Sequence, residues 1–342
     1  MTPDLVPLPA QPPDVHWPTR AWSSGDLDPA VRARVEAQVR TLAEPDESLL
    51  GHTSALLAAQ GGRIVVERYA PDVLASTTLP SWSTAKSMLH AIVGTLVLDD
   101  HIALDQRAAV PEWTDEGDER AEITIRDLLT FRPGLEWAED YVDEQVSDVI
   151  AMLFGDGQRD MASFAASKPL VAPPGEVFNY SSGTSNIVSR IVRDLVEDYP
   201  SYLKRTLFDR IGVMSAHPKF DDVGTWVASS YCFCTARDFA RFGYLYLRDG
   251  VWDGDRVLPK GWVDVGRTLT AVDPTDDTRH GAHWWLWDDP WGTFVAVGYE
   301  GQYIAVVPGL DLVLVRLGRT PADLRPRLVA ELRRLIAAFA GA

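Results

Sequence analysis

Apolar residues recur along this chain with two periods. Over 88–98, Met88, Leu89, Ile92, Val93 and Leu96 return at three- and four-residue intervals, which predicts a helix with one buried stripe. That run is entered through Ser81-Trp82-Ser83-Thr84-Ala85-Lys86-Ser87, so Ser83 falls at the helix N-terminus. Upstream, a helix is predicted over 29–42. The apolar runs 54–59 and 63–69 are separated by Gln60-Gly61-Gly62, a hairpin signal. Residues 1–20 are rich in proline and aromatic residues and read as an arm laid on the surface.

From about residue 101 the helical period dominates. Thr124 and Asp127 form a Thr-x-x-Asp capping pattern for 124–130, which ends before the turn Arg132-Pro133-Gly134. Further helices are predicted over 146–154, 161–167, 185–199 and 202–213, with no strand pattern of comparable strength among them. The sheet resumes at 228–234, followed by a capped helix at 235–247 and another near 260–269. Three short strands, 293–298, 302–307 and 312–317, precede a final amphipathic helix over 326–340. The expected fold is of the α/β (α+β) class, an antiparallel sheet flanked by helices plus an all-helical domain. The division this implies is an arm 1–20, a discontinuous α/β domain 21–100 and 225–342, and a helical domain 101–224.

Composition narrows the functions. The 342 residues are 46% hydrophobic and 24% charged, the balance of an ordinary globular protein. A net charge of -17 argues against nucleic acid, which needs clustered Lys and Arg. No apolar run approaches the ~18 residues of a membrane span. The first fourteen residues lack the basic and apolar regions of a secretory signal, so a cytoplasmic location is expected. The implied partner is a small-molecule substrate, with no nucleic acid and no membrane, and the oligomeric state stays open, a homodimer included. Cys232 and Cys234 would share one face of a strand, where a bridge would be strained, so buried thiols are expected. His280 and His283 are close, but no further ligands complete a metal set, and no cofactor is expected.

Ser83 and Lys86 lie three apart and hence on one helix face, within reach of a hydrogen bond. A serine hydroxyl needs a neighbour to take its proton, and a lysine can do so once burial lowers its pKa. The helix N-terminus adds backbone N–H groups that can face an oxyanion. Only five of the 32 basic residues are lysines. A second copy of the pattern, Ser201 to Lys204, sits in an amphipathic stretch and reads as a solvated helix face.

Two more segments complete a pattern: Phe178-Asn179-Tyr180-Ser181-Ser182-Gly183, a polar turn before a helix, and Gly298-Tyr299-Glu300-Gly301-Gln302 between two strands. In this order the three segments resemble the serine β-lactamase and penicillin-recognising superfamily, and within it the 6-aminohexanoate-dimer hydrolase branch related to class C β-lactamases. Leu128-Leu129-Thr130, the stretch from Gly134 to Tyr141, Cys234-Thr235-Ala236-Arg237-Asp238 and His283-Trp284-Trp285 support the likeness, which spans about residues 50 to 320.

The resemblance implies a β-lactamase/transpeptidase-like fold with Ser83 as acyl-accepting nucleophile, Lys86 as base and Tyr180 sharing proton transfer. It implies oxyanion donors on the backbone of Ser83 and Gln302, and substrate contacts from Tyr141 and from the positions of Ser182, Tyr299, Glu300 and Gly301. Apart from the resemblance, the cluster Trp284, Trp285 and Trp287 reads as an apolar pocket wall with Trp285 contacting substrate, the alternative at this density being core. Ser182 replaces the usual Asn. Tyr299 and Glu300 replace the Lys and Thr of β-lactamases, so the cationic anchor for a β-lactam carboxylate is absent, and a buried Glu300 would repel an anionic substrate. The expected activity is therefore cleavage of an ester, or of an amide with an amino group, with weak or no β-lactamase activity. A D-aminopeptidase or D-alanyl carboxypeptidase, and a silent ligand-binding protein of the same fold, are the alternatives.

Overall fold

In a computed structural model, which describes residues 5–44, 46–141 and 147–340, the chain is organised around one nine-stranded sheet. In chain order its strands are β1 (Ser23–Ser24), β2 (His52–Gln60), β3 (Arg63–Tyr69), β4 (Ala271–Val272), β5 (Arg279–His280), β6 (Trp285–Leu286), β7 (Phe294–Gly298), β8 (Gln302–Val307) and β9 (Leu312–Arg319). Their spatial order is β1-β3-β2-β9-β8-β7-β6-β5-β4, antiparallel except for the β1–β3 pair. The β2–β3 hairpin turns at Gly61 and Gly62, whose φ of +56° and +76° suit glycine.

Alternation along the strands feeds two cores. Leu56, Ala58, Val66, Val295, Ala305 and Leu314 pack against the helices Pro29–Ala43 and Arg325–Phe339. Leu57, Ala59, Ala296, Ile304 and Val313 face the helices Thr84–Leu98 and Ala236–Leu247, and this second core runs on without a break into the helical segment through Leu128, Ile187 and Leu203.

Most predicted elements are present within a residue or two, and the departures are instructive. The helix Thr84–Leu98 is buried on all sides, every residue from Thr84 to Leu96, because helices and sheet enclose it completely. The expected helix over 185–199 starts earlier and stops sooner, as Ser182–Leu195, with Ser181 as its N-cap accepting from Thr184 N. Tyr199 opens a separate short helix, Tyr199–Leu203, which widens into a π-turn at Lys204–Phe208. The expected strand 228–234 shrinks to Cys232–Cys234 and belongs to another sheet, between Leu79–Pro80 and His217–Pro218. Its job is to hold the segment before Ser83. The helix placed at 146–154 is Asp148–Phe154, and Val146 lies outside the described residues. Both cysteines are buried free thiols.

Candidate active site

Ser83 caps the helix Thr84–Leu98 from a turn that is held from both sides. Ser81 Oγ donates to the Ser230 carbonyl at 3.2 Å and accepts from Cys232 N at 2.8 Å, while Ser81 N donates to the Cys232 carbonyl at 3.1 Å. Trp82 follows with φ +44°, a left-handed conformation that strains a bulky residue. Its indole is enclosed by the rings of Tyr231 and Tyr299, 5.7 and 5.6 Å away. Opposite, the end of β7 presses in at Gly298, where a Cβ would stand 2.4 Å from the Ser81 carbonyl oxygen. Only glycine fits there.

One turn into the helix, Lys86 is 2% exposed. Its Nζ lies 2.9 Å from Ser83 Oγ, 2.9 Å from Ser182 Oγ and 2.8 Å from the Ser229 carbonyl. Burial lowers its pKa to about 8, and the negative charge of Glu139 works against that shift. Three acceptors suit the ammonium; the neutral amine keeps two donors for Ser182 and Ser229 and turns its lone pair to Ser83. The Tyr180 ring centre is 5.0 Å from Nζ and packs on Phe131 at 4.9 Å and Trp285 at 5.8 Å. Burial, then Glu139, pushes the Tyr180 phenol above its ordinary pKa, against an opposing hydrogen bond to Ser83. The phenol therefore keeps its proton at neutral pH.

Glu139 ties this cluster together. It accepts from Ser182 Oγ at 2.5 Å, Ser182 N at 2.9 Å and Trp137 Nε1 at 2.6 Å, and from the Tyr141 hydroxyl. Ser182, at 1% exposed, thus links Lys86 to Glu139 instead of facing open space. Tyr141 stacks on Tyr299 with ring centres 5.0 Å apart.

These groups line a cavity of about 390 Å³ containing Ser83, Glu139, Tyr141, Tyr180, Trp285, Gly298 and Tyr299, with Asp273, Asp276 and Arg325 also in its wall. Glu300, Gly301 and Gln302 do not line it. The chain turns away at Glu300, φ +59°, which is half-buried and lines a separate cavity with Glu47 and His52. The Gln302 side chain is committed inside the sheet: Nε2 donates to the carbonyls of Tyr299 and Gly318 at 2.9 and 2.7 Å, and Oε1 accepts from Gly318 N at 3.0 Å. The Gly301 carbonyl is held by the buried Arg316 at 2.9 Å. The negative charge expected of Glu300 comes from Glu139, Asp273 and Asp276. A cation is present too, because Arg325 reaches the wall from the C-terminal helix, 5.0 Å over the Tyr299 ring.

Of the three neighbouring tryptophans, Trp285 walls the cavity while Trp284 and Trp287 are core residues. Burial holds His280 near pKa 4 and His283 near 3, both neutral at pH 7. No cluster of three or more His, Cys, Asp or Glu suited to a metal exists among the described residues. Sequence reasoning missed Glu139 as a site residue, although it stands two positions before Tyr141 in a stretch already singled out. Ser229 and Arg325 carried no local signal, since one acts through its backbone and the other arrives from a distant helix.

A profile of the family described as Beta-lactamase matches residues 40–339. The 6-aminohexanoate-dimer hydrolase of Paenarthrobacter ureafaciens is 28% identical over 326 residues, 86% of this chain and 81% of that protein. A solved Bacillus anthracis protein named for the same dimer hydrolase superposes with a TM-score of 0.76 at 21% identity, covering 94% of this chain and 89% of its own. A family VIII carboxylesterase superposes at 0.64 with 15% identity, covering 91% and 99%.

Proposed function

Since the chain belongs to the β-lactamase family, we propose that it is a serine hydrolase opening an ester or amide bond of a small, neutral or amino-bearing substrate through an acyl-enzyme on Ser83. The observation that carries this reading is the 2.9 Å contact between Ser83 Oγ and a buried Lys86 whose pKa has fallen to about 8. Neutral Lys86 takes the Ser83 proton as Oγ bonds to the substrate carbonyl carbon. The oxyanion so formed is held by the backbone N–H of Ser83 and, following the lining of the cavity, that of Tyr299 in place of Gln302. Collapse breaks the C–O or C–N bond. The leaving group receives the proton from the Tyr180 hydroxyl, which is refilled from Lys86. Water then attacks the acyl-enzyme by the same route in reverse, releasing the acid and returning the proton to Ser83. No step needs a metal or cofactor.

Three carboxylates against one guanidinium around the cavity favour a neutral or amino-bearing substrate over an anionic one. The names of the relatives point to both bond types, an amide for the dimer hydrolase and an ester for the carboxylesterase. The test is intact mass after fluorophosphonate treatment together with p-nitrophenyl butyrate turnover. Wild type should gain one adduct and turn over, and Ser83→Ala should do neither. A folded wild type that stays unlabelled and inactive would replace this reading with the silent binding protein.

A further inference from the structure

The sheet extends beyond its helical cover. The helices Pro29–Ala43 and Arg325–Phe339 pack over the β2, β3, β8 and β9 end, and the strands β4 to β6 continue past them. Under that overhang lies a cavity of about 720 Å³, nearly twice the volume of the one holding Ser83. Its walls are mainly apolar: Leu269, Val272, Leu286, Trp287, Tyr303 and Val329. Leu286 and Val329 are half-buried, while Leu269 and Val272 are 38% and 49% exposed, so this is unfilled apolar surface and not closed core. Arg333, 4.9 Å over the Trp287 ring, and Arg279, paired with Asp288 at 3.2 Å, stand at its polar rim.

Three residues, Asp276, Trp285 and Val297, line both cavities. Trp285 is the partition: one side of its ring meets the Tyr180 ring at 5.8 Å, and its pairing with Val295 in β7 places it on the sheet face that carries the larger cavity. Val297 is two residues along the same strand, next to Gly298 at the Ser83 turn. The Ser83 cavity and the larger one therefore adjoin at these three residues, with Trp285 standing between them.

We propose that this larger cavity is a second subsite of the same active site, and that it takes the apolar arm, a chain or ring, of the substrate opened at Ser83. The inference rests on the hydrolase reading. It makes the substrate class an ester or amide with an extended hydrophobic arm, not a compact one. A second copy of the chain could also cover apolar surface, but the shared walls with the Ser83 cavity favour the substrate.

The test is kcat/KM for p-nitrophenyl acetate, butyrate, hexanoate and octanoate, and for butyrate esters of alcohols of the same lengths, with wild type, Val329→Trp and Leu286→Ala. Wild type should gain about two- to fourfold per added methylene in one of the two series, the range set by methylene burial. Val329→Trp, which fills the cavity from the helix side, should lower the ratio of the eight-carbon to the two-carbon member of that series at least tenfold. Leu286→Ala should lower it less. Normal acetate turnover and Ser83 labelling with flat profiles in both series would overturn the subsite while leaving the hydrolase intact. A dimer that Val329→Trp dissociates with the chain-length ratio unchanged would overturn it in favour of a second copy. Absence of labelling and of all turnover would overturn it together with the hydrolase reading.

Discussion

The chain carries the pattern Ser-x-x-Lys twice, and the two copies differ in everything but sequence. Lys86 is buried, donates to three acceptors and has its pKa lowered to about 8. Lys204 is 67% exposed at its side chain, and the contact recorded for its Nζ is a 3.9 Å approach to Asp209. Ser83 follows a strained tryptophan and opens onto a cavity, whereas Ser201 is an exposed first-turn residue whose Oγ donates to the Asp198 cap at 2.6 Å. The motif supplies spacing; desolvation and an enforced turn supply the chemistry. The second copy is a control provided by the molecule itself.

The comparison can be broken most sharply at the lysines. Lys86→Ala should lower kcat/KM on an ester by about 10³- to 10⁴-fold, while Lys204→Ala should leave it within about twofold. Steady-state kinetics on folded proteins measures both. A smaller loss is expected for Tyr180→Phe, about 10²-fold, since the ring and its packing on Phe131 remain and only the proton carrier is gone.

The pH dependence sharpens the contrast. The acid limb of kcat/KM should be centred near pH 8, where Lys86 loses its proton. Glu139 raises that pKa, so Glu139→Gln should move the limb to lower pH, and an unmoved limb would remove Glu139 from the tuning of Lys86. Stability carries the same signature. The folded pKa of about 8 lies below the ordinary 10.5, so between these values the unfolded chain holds a proton that the folded chain has lost. The contribution of Lys86 to stability therefore rises with pH across that window. The difference in unfolding free energy between wild type and Lys86→Met should follow it, changing by a few kcal/mol, roughly. Smallest of all, Ser201→Ala should cost under about 1 kcal/mol, as loss of an exposed contact to a cap, and should change no kinetic constant.

No helix of the described residues is long and apolar enough to cross a membrane. The absent lysine anchor shows how far local reading goes. At Tyr299 and Glu300 the sequence correctly lacks a cation, yet Arg325 reaches the cavity from the C-terminal helix, 25 positions beyond Glu300. Similarly, Gln302 was the expected oxyanion residue because it follows a glycine. Gly298 and Tyr299, one turn earlier, are the residues of this segment that line the cavity.

What the sequence determined by itself are the properties that local periodicity and short spacing encode. The β2–β3 hairpin, the helix behind Ser83, the Thr124 cap and the closing three strands were legible because alternation and turn chemistry act between near neighbours. The same holds for the Ser83–Lys86 spacing. Tertiary structure alone decided which groups enclose Lys86 and accept from it, that Cys232–Cys234 braces the nucleophile turn instead of joining the main sheet, and that Glu139 faces Ser182. Burial and electrostatics are sums over residues remote in the chain, and no window of sequence contains them.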